Sequence, residues 1–545
     1  MDSIAQKYCK YAEQVKGSKT NFETYWQTLH DYFYVEAANI TSTDSAGSEL
    51  NFDGLYDTFS LEAANVFAAG ITNYLTPPMG KWFNLRTKDP NRMESKAVKI
   101  WLKDTEAELY HMLNNSNFYD QITPFFKTSG VFGTAVLLAE SDERDGVRFS
   151  NIDLACAGIV NDSRGRVSEY YLEFQFTAVQ AVSKWGFKAV GDTIQECYTT
   201  GRDANKTFDF LLVISERIDR NVTKKDSENM PIMALWIDKS DKKVVEESGY
   251  RVMPAFTHRF YTRGYTPWGY SPAMDALPDV RWLNAIAKTE LQSTMKQADP
   301  AWALPNDSFV LPLDLNPNAL NYYDSRNFNK DSIFPLSGFG NAKINEYMIE
   351  KKYNAIKSHL FYDVFKAFEG ITKQMTVIEV QKRISEQMVF LGPAVGRWNN
   401  DVLNGVIDRL IDICYETGKL PELPQELMAD PRYEVEYTSV LALAQKQSDM
   451  QSLTTALGLA GEIAQFNPSV LDKVNTDKAI DSIWGITGAD VSVLYDQKEV
   501  DELRQYRAQQ QQEQEQRMAI AEGAQIAKTA SEAEKNMSQS KSESA

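Results

Sequence analysis

PDVRWLNAIAKTELQSTMKQADP, residues 278–300, and INEYMIEKKYNAIKSHLFYDVFKAF, residues 344–368, enclose the stretch on which the architecture turns. In the first, Val280, Leu283, Ile286, Leu291, Met295 and Ala298 recur at helical spacing and predict a helix from about Pro278 to Pro300. In the second, Met348, Ile356, Leu360, Val364 and Phe368 share one face. That predicts a helix of 25 residues, about 37 Å long at 1.5 Å per residue. Between Asp299 and Lys343 stand Pro300, Pro305, Pro312, Pro317 and Pro335, five of the nineteen prolines of the chain. Proline lacks the amide donor and clashes with the preceding turn, so no long helix survives there. Two long helices with a proline-rich tip between them predict a protruding stalk. An ordinary helical hairpin with a disordered loop is the other reading of the same pattern.

Upstream, the first 115 residues are helical in pattern. Phe59, Ala63, Phe67, Ile71 and Tyr74 mark one face of a helix that Thr76-Pro77-Pro78 must end. Trp101, Leu102, Leu109 and Leu113 mark another, closed by Asn114-Asn115. From about 130 to 260 the pattern changes to short β-rich runs: Gly133–Glu140, Val147–Asp153, Val167–Phe176, Asp209–Ile218 and Pro231–Asp238, separated by turn residues. These predict a mixed or antiparallel sheet packed on the N-terminal helices.

Downstream, after the break Glu369–Gln374, Ile384, Met388, Leu391, Val395, Trp398, Val402, Val406 and Leu410 predict a third long helix. Gly392-Pro393 falls inside that stripe and predicts a kink, because the proline removes a ladder bond at about 3 kcal/mol. The helix should stop at Gly418, before Pro421 and Pro424. Residues 439–463 are rich in Ala and Leu and helix-like, and a last helix is expected from Asp501 to about Lys528. From Ser531 the Ser/Glu/Lys-rich tail is expected to be disordered in an isolated subunit.

The chain has 545 residues, enough for about three to four structural units. Its 57 basic and 75 acidic residues leave −18 at pH 7. A protein that wraps DNA tightly through its phosphates is normally basic, so that class is disfavoured. The longest nearly unbroken apolar stretch, Val131 to Ala139, is half of what a bilayer span needs, and Met1-Asp2-Ser3-Ile4 does not begin a secretory signal. A soluble, acidic, multidomain protein made in a cytoplasm is expected.

Chemistry is sparse. Cys9, Cys156, Cys197 and Cys414 are scattered, as are His30, His111, His258 and His359, so neither a disulfide framework nor a metal site is expected. Gly80-Lys81 and Gly418-Lys419 lack the upstream glycine and following Ser/Thr of a phosphate-binding loop. Gly338-Phe339-Gly340 meets Lys343 where a dinucleotide fingerprint needs its third glycine. The acidic pairs Asp142/Glu143 and Glu246/Glu247 sit beside turn residues and suggest solvated loop charge. No catalytic residue, cofactor site or metal ligand is assigned, and no enzyme is expected.

Three stretches, in order, resemble a known family. The first is Asp57-Thr58 through Ala68, Gly70, Leu75-Thr76-Pro77-Pro78 and Trp82-Phe83. The second is Arg259, Arg263, Gly269-Tyr270-Ser271-Pro272, Ala276-Leu277-Pro278-Asp279-Val280 and Leu283-Asn284. The third, and most specific, is Met375-Thr376, Glu379-Val380, Arg383, Glu386 and Leu391-Gly392-Pro393. Together they resemble the portal proteins, or head-to-tail connectors, of short-tailed bacteriophages. Thr376-Val377-Ile378 departs modestly from the family's usual Thr-Ala before Glu379-Val380.

The resemblance implies an α+β, predominantly helical portal fold, assembling as a ring, usually a dodecamer, around a central channel at one capsid vertex. On that plan 1–265 and 375–437 are the wing, 266–298 and 344–368 the stem helices, and 299–343 the clip. Residues 369–374 are the tunnel loop, 438–500 the crown, and 501–545 a C-terminal helix or short barrel with a flexible tail. The implied partners are double-stranded DNA passing without sequence specificity, the terminase large subunit, the tail adaptor, and the major capsid and scaffolding proteins. No membrane is involved. The implied channel residues are Lys366, Glu369, Gly370, Ile371, Thr372, Lys373 and Gln374, with Lys366 and Lys373 as isolated cations able to touch phosphates. The aromatic residues Trp302, Phe309, Tyr322, Tyr323 and Phe328 would meet partners or neighbouring clips, since aromatics concentrate at interface centres; local packing within the clip is the alternative. An acidic lining would keep DNA mobile, and −18 as plain solubilising charge remains the other reading.

Overall fold

The structure is a computed structural model. It describes residues 2–41, 52–89, 92, 95–201, 205–221, 223–224, 226–264, 266–298, 302–303, 334–335, 346–366, 392–428, 433–437, 440–464, 474–487, 495 and 497–542. These form two units. One comprises Met1–Asn84, Thr105–Leu420 and Val435–Ala444; the other comprises Leu85–Asp104, Pro421–Glu434 and Gln445–Ala545.

The first unit is built on antiparallel sheets. Ala157–Asn161, Val167–Thr177, Thr207–Glu216, Ile232–Asp238 and Lys243–Tyr250 pair in chain order as a five-stranded meander. Leu212 faces Leu172 on one side and Trp236 on the other. Strand alternation sends Phe208, Phe210, Leu212 and Ile214 to the main core. It sends Leu211 and Val213 to the opposite face, where Ala5, Cys9 and Ala12 of the helix Asp2–Phe33 cover them. A strand with both faces buried is apolar nearly throughout, which is why this run stands out in the sequence. The covering helix is pinned by buried Lys19, whose Nζ donates to the carbonyls of Leu154, Ala155 and Ala157 at 2.7, 2.8 and 2.9 Å. Burial lowers the Lys19 pKa, and Glu23 opposes the shift.

The five expected β-runs are all strands, and three further strands, Ala157–Asn161, Lys243–Tyr250 and Ala255–Arg259, and two short helices, Ala178–Trp185 and Asp192–Thr200, accompany them unannounced. Glu246 and Glu247 are therefore strand residues, not loop charge. Glu246 accepts the Trp185 indole N–H at 2.8 Å, and Glu247 pairs with Arg217 at 3.0 Å.

A second sheet has the order Gly146–Ile152, Thr134–Asp142, Ala255–Arg259. Its central strand follows directly on the helix Phe118–Phe132, which packs on Phe59–Leu75. The expected stripe of Ala63, Phe67, Ile71 and Tyr74 is buried there. Gly133 makes the turn between helix and strand at φ +80°, the left-handed region that suits glycine.

Across from Gly133 runs Gly269-Tyr270. A Cβ on Gly269 would lie 2.1 Å from the Gly133 carbonyl oxygen, and one on Gly133 would lie 2.7 Å from that of Gly269. Only two glycines can pass so closely. Ser271 then donates its hydroxyl to the Val131 carbonyl at 2.7 Å and accepts the Met274 N–H at 3.1 Å, and Pro272 begins the first long helix.

That helix runs Pro272–Ala298, six residues longer at its start than the apolar stripe indicated. Pro278 lies inside it; buried Ala273, Met274, Ala276, Leu277 and Val280 hold the turn around the missing donor. Its partner is Glu346–His359, not a continuous helix to 368: Phe361 adopts φ +53° and a short helix, Tyr362–Lys366, follows. A β-carbon is strained in that region, so the chain turns there.

In the second unit, Trp101 Nε1 donates to the Pro421 carbonyl at 3.1 Å, and Arg504 grips Asp477 with two hydrogen bonds of 2.8 and 2.7 Å. Helices span Val440–Ala464, Thr476–Thr487 and Gln497–Ser542. The last contradicts the expected disorder from Ser531. Ala, Glu, Lys and Gln are strong helix formers, and local propensity carries the helix on where no core is available.

Replacing Gly133 by Ala should destabilise the chain by at least about 1–2 kcal/mol from its backbone angle alone, with the collision against Gly269 added. Denaturant unfolding measures it. A loss under about 0.5 kcal/mol, the scale of an ordinary surface change, would show that the two strands separate freely.

Candidate functional site

The helix pair is fastened from three directions. Lys352 meets Asp279 at 2.5 Å between the two helices. Asn284 on the first helix accepts the amides of Tyr56 and Asp57 at 2.6 and 3.2 Å and donates to the Gly54 carbonyl at 2.7 Å. Tyr353 on the second donates its hydroxyl to Asp57 at 2.5 Å. This explains why Asp57 and Asn284 stand out although far apart in sequence. The excursion between the helices returns on itself: Trp302–Ala303 pairs antiparallel with Phe334–Pro335. Trp302 thus sits at the root of the excursion. Phe309, Tyr322, Tyr323 and Phe328 lie outside the described residues.

At the other end, Tyr362–Lys366 lies along Phe59–Leu75. Phe365 occupies the space above Gly70, where a Cβ would lie 2.2 Å from its ring. Glu62 accepts from Tyr362 at 2.5 Å and from Lys366 at 3.2 Å, and these hydrogen bonds hold its carboxyl below the usual range. Lys366 is therefore paired, not the isolated cation expected. Glu369, Gly370, Ile371, Thr372, Lys373 and Gln374 lie outside the described residues.

Gly392 opens a described helix to Trp398, with Pro393 in its first turn, so the expected kink adjoins residues outside the described ones. The irregularity that is described comes later. Asn399–Leu403 forms a π-helical turn before Asn404–Glu416 resumes. Its cause is legible in the spacing: Trp398, Val402, Val406 and Leu410 are all buried at steps of four. At 3.6 residues per turn, three such steps drift about 120° around a regular helix, and one wide turn removes the drift.

Around this turn lies a polar cluster that the sequence did not announce. His258 is buried, stacked on Trp398 at 4.7 Å, with Nδ1 2.5 Å from Ser129 Oγ. Desolvation, aided by Arg397 and Arg259, holds its pKa well below the ordinary value. Arg259 reaches Asn161 Oδ1 at 3.4 Å and the Gly165 carbonyl at 2.9 Å. Tyr437 donates to Asn404 at 2.6 Å. Arg166, Tyr170, Thr257, Arg259, Asn400 and Asp401 line a cavity of about 450 Å³. The hydroxyl–imidazole pair of Ser129 and His258 is fully buried, with no substrate able to reach it as it stands, and among the described residues no cluster could hold a metal ion.

The family described as bacteriophage head to tail connecting protein matches residues 5–494. The chain belongs to that family. It is 29% identical over 537 residues to the portal protein of Salmonella phage epsilon15, covering 97% of this chain and 95% of that one. It is also 29% identical over 521 residues to the probable portal protein of Bordetella phage BPP-1, covering 94% and 93%. A head to tail connector is a virion component. Among the described residues no helix is long and apolar enough to cross a membrane.

The connector's His258 has a measurable signature. Its folded pKa lies below its unfolded value of about 6.5, so the unfolded chain takes up a proton first as pH falls. Stability should be level above about pH 6.5 and decline below it. A His258→Phe variant should lose that portion of the decline in urea unfolding measured from pH 8 to 5. Parallel profiles for the two proteins would show that His258 is not held neutral.

Proposed function

We propose that this chain is the subunit of a portal ring at the capsid vertex, through which double-stranded DNA is packaged and ejected. The observation that carries the reading is the fastened helix pair, with an excursion closed at its root by Trp302–Ala303 and Phe334–Pro335, in a chain whose relatives carry the portal name along nearly their whole length. On this reading the helix pair is the stem and 299–343 the clip. The sheets, together with 375–437, are the wing, 369–374 the tunnel loop, and 438–500 the crown. The C-terminal helix extends the crown.

A subunit of this kind closes through heterologous contacts, and only cyclic symmetry terminates such contacts. A dodecamer is the expected closure. The clip would dock the terminase large subunit during packaging and the tail adaptor afterwards. The outer face would meet the major capsid and scaffolding proteins. The role is mechanical, with no chemistry of its own: DNA must pass without being gripped, and a net charge of −18 on each subunit opposes gripping.

Mass measurement and negative-stain imaging of the purified chain should show a closed cyclic oligomer of twelve with an axial opening. A stable monomer under all conditions, or compact particles without a channel, would overturn the reading in favour of a scaffold or other virion protein. Within the ring reading, Lys373→Glu should assemble normally yet package less genome or retain it less well. Wild-type DNA content would remove Lys373 from the channel contact.

A further inference from the structure

Among the described residues, His258 Nε2, Arg259 Nε, Arg397 Nε, Trp398 Nε1 and Asn399 Oδ1 are buried with no hydrogen-bond partner. Five such groups on two short stretches is a concentration that calls for a cause, since buried polar groups are nearly always paired. Of these residues Arg259 lines the polar cavity at the π-helical turn, and the two stretches adjoin its lining residues Thr257 and Asn400 in sequence.

The inner surface of that cavity is rich in donors. Arg166 is exposed and makes no side-chain hydrogen bond among the described residues. Arg259 is fixed by Asn161 and Gly165 with its Nε–H left over. The Tyr170 hydroxyl accepts from Thr257 at 3.2 Å, which leaves its own proton to give. Asn400 adds an amide at the rim. On the acidic side stand Asp401 and, behind the turn, Asp162. Asp162 already accepts the backbone N–H groups of Arg164 and Arg166, each at 2.8 Å. Asp401 faces Arg259 and Arg397, while its burial opposes ionisation. In the lining itself two arginines, Arg166 and Arg259, stand against one acid, Asp401, and the hollow suits an oxyanion.

Charge selects the kind. A free or monoester phosphate carries close to two negative charges and would press on Asp401, whereas a carboxylate carries one and fits planar guanidinium donors. The chain itself has 75 acidic residues against 57 basic ones, so a second copy presents mainly carboxylates. We propose that this hollow receives an aspartate or glutamate side chain from a neighbouring copy and so forms one of the polar locks between subunits. The inference rests on the ring reading given above. Arg166 and Arg259 hold the incoming carboxylate; Tyr170 and Asn400 complete its hydrogen bonds. The lock sits against Asn399–Leu403, so subunit contact and the irregular turn of the long helix bear on each other.

The test is assembly of the full chain followed by native mass spectrometry. Arg166→Glu and Asn400→Asp each set a negative charge against the incoming carboxylate from a different element, and both positions are exposed. Each should weaken ring formation by about tenfold or more, as like charges set against each other at an interface do. Subunit melting should stay unchanged, and Arg166→Lys should keep most of the ring. If one variant fails to fold, the other carries the test. Wild-type assembly by both variants would overturn the lock while leaving the ring reading intact. A wild-type chain that never closes would overturn the ring reading, and the lock with it. Calorimetry of wild-type rings with inorganic phosphate is the remaining arm. Phosphate binding that Arg166→Glu abolishes would make the hollow a free oxyanion site and overturn the second-copy assignment; no phosphate binding supports it.

Discussion

The crossing of Gly133 and Gly269 is the constraint on which the first unit depends. A helix ends, a central strand begins, and a second segment passes at backbone contact before starting the long helix Pro272–Ala298. The hydrogen bond from the Gly269 N–H to Thr134 at 2.8 Å and that from Ser271 to the Val131 carbonyl at 2.7 Å close the crossing on either side. A side chain at either glycine would push these segments apart, and the start of the long helix would move with them. The Gly-Tyr-Ser-Pro sequence is thus a statement about distance: no Cβ, then a cap, then a residue suited to the first turn.

From that fixed start, polar bonds aim the helix pair. Asn284 makes three hydrogen bonds to the backbone of 54–57, and Asp57 in turn holds Tyr353 on the second helix. Exposed ion pairs contribute little individually. These bonds differ in being partly buried and in tying three separate parts of the chain, so losing one partner leaves others without theirs. Lys19 among the carbonyls of 154, 155 and 157 plays the same part for the N-terminal helix.

What was legible in the sequence follows from these contacts. Strands buried on both faces are mostly apolar runs, such as Thr207–Glu216, and those were found; Ala255–Arg259, buried but carrying Thr257 and His258, was not. The edge strand Lys243–Tyr250 was not, because its Glu246 and Glu247 satisfy distant Trp185 and Arg217, partners that no local pattern reveals. The helix start was placed at about Pro278 because the apolar stripe that was followed begins at Val280; Ser271 and Pro272 offered a start signal earlier, with the cap that decides it. The break at Phe361 left no mark in the apolar stripe, since Leu360 and Val364 are buried on either side of it. The π-helical turn was written in the repeated steps of four, yet a glycine and a proline nearby drew the expectation of irregularity to Gly392-Pro393. The polar cluster at His258 and Arg259 was invisible because it joins strand, turn and helix from three distant stretches.

Charge is arranged in a way that composition alone conceals. Lys366 is bound to Glu62, Lys127 to Glu36, Lys352 to Asp279, Lys239 to Glu173 and Arg409 to Asp412. Each pair removes a cation from general use and leaves the surplus of acid to the surface. A chain with the same totals but unpaired lysines would present scattered positive sites to a polyanion, and binding to nucleic acid rises with every phosphate neutralised. A different arrangement stands in the hollow lined by Arg166 and Arg259. There Arg166 is exposed, and Arg259, fixed by Asn161 and Gly165, keeps a buried Nε–H without a partner, in a recess of about 450 Å³.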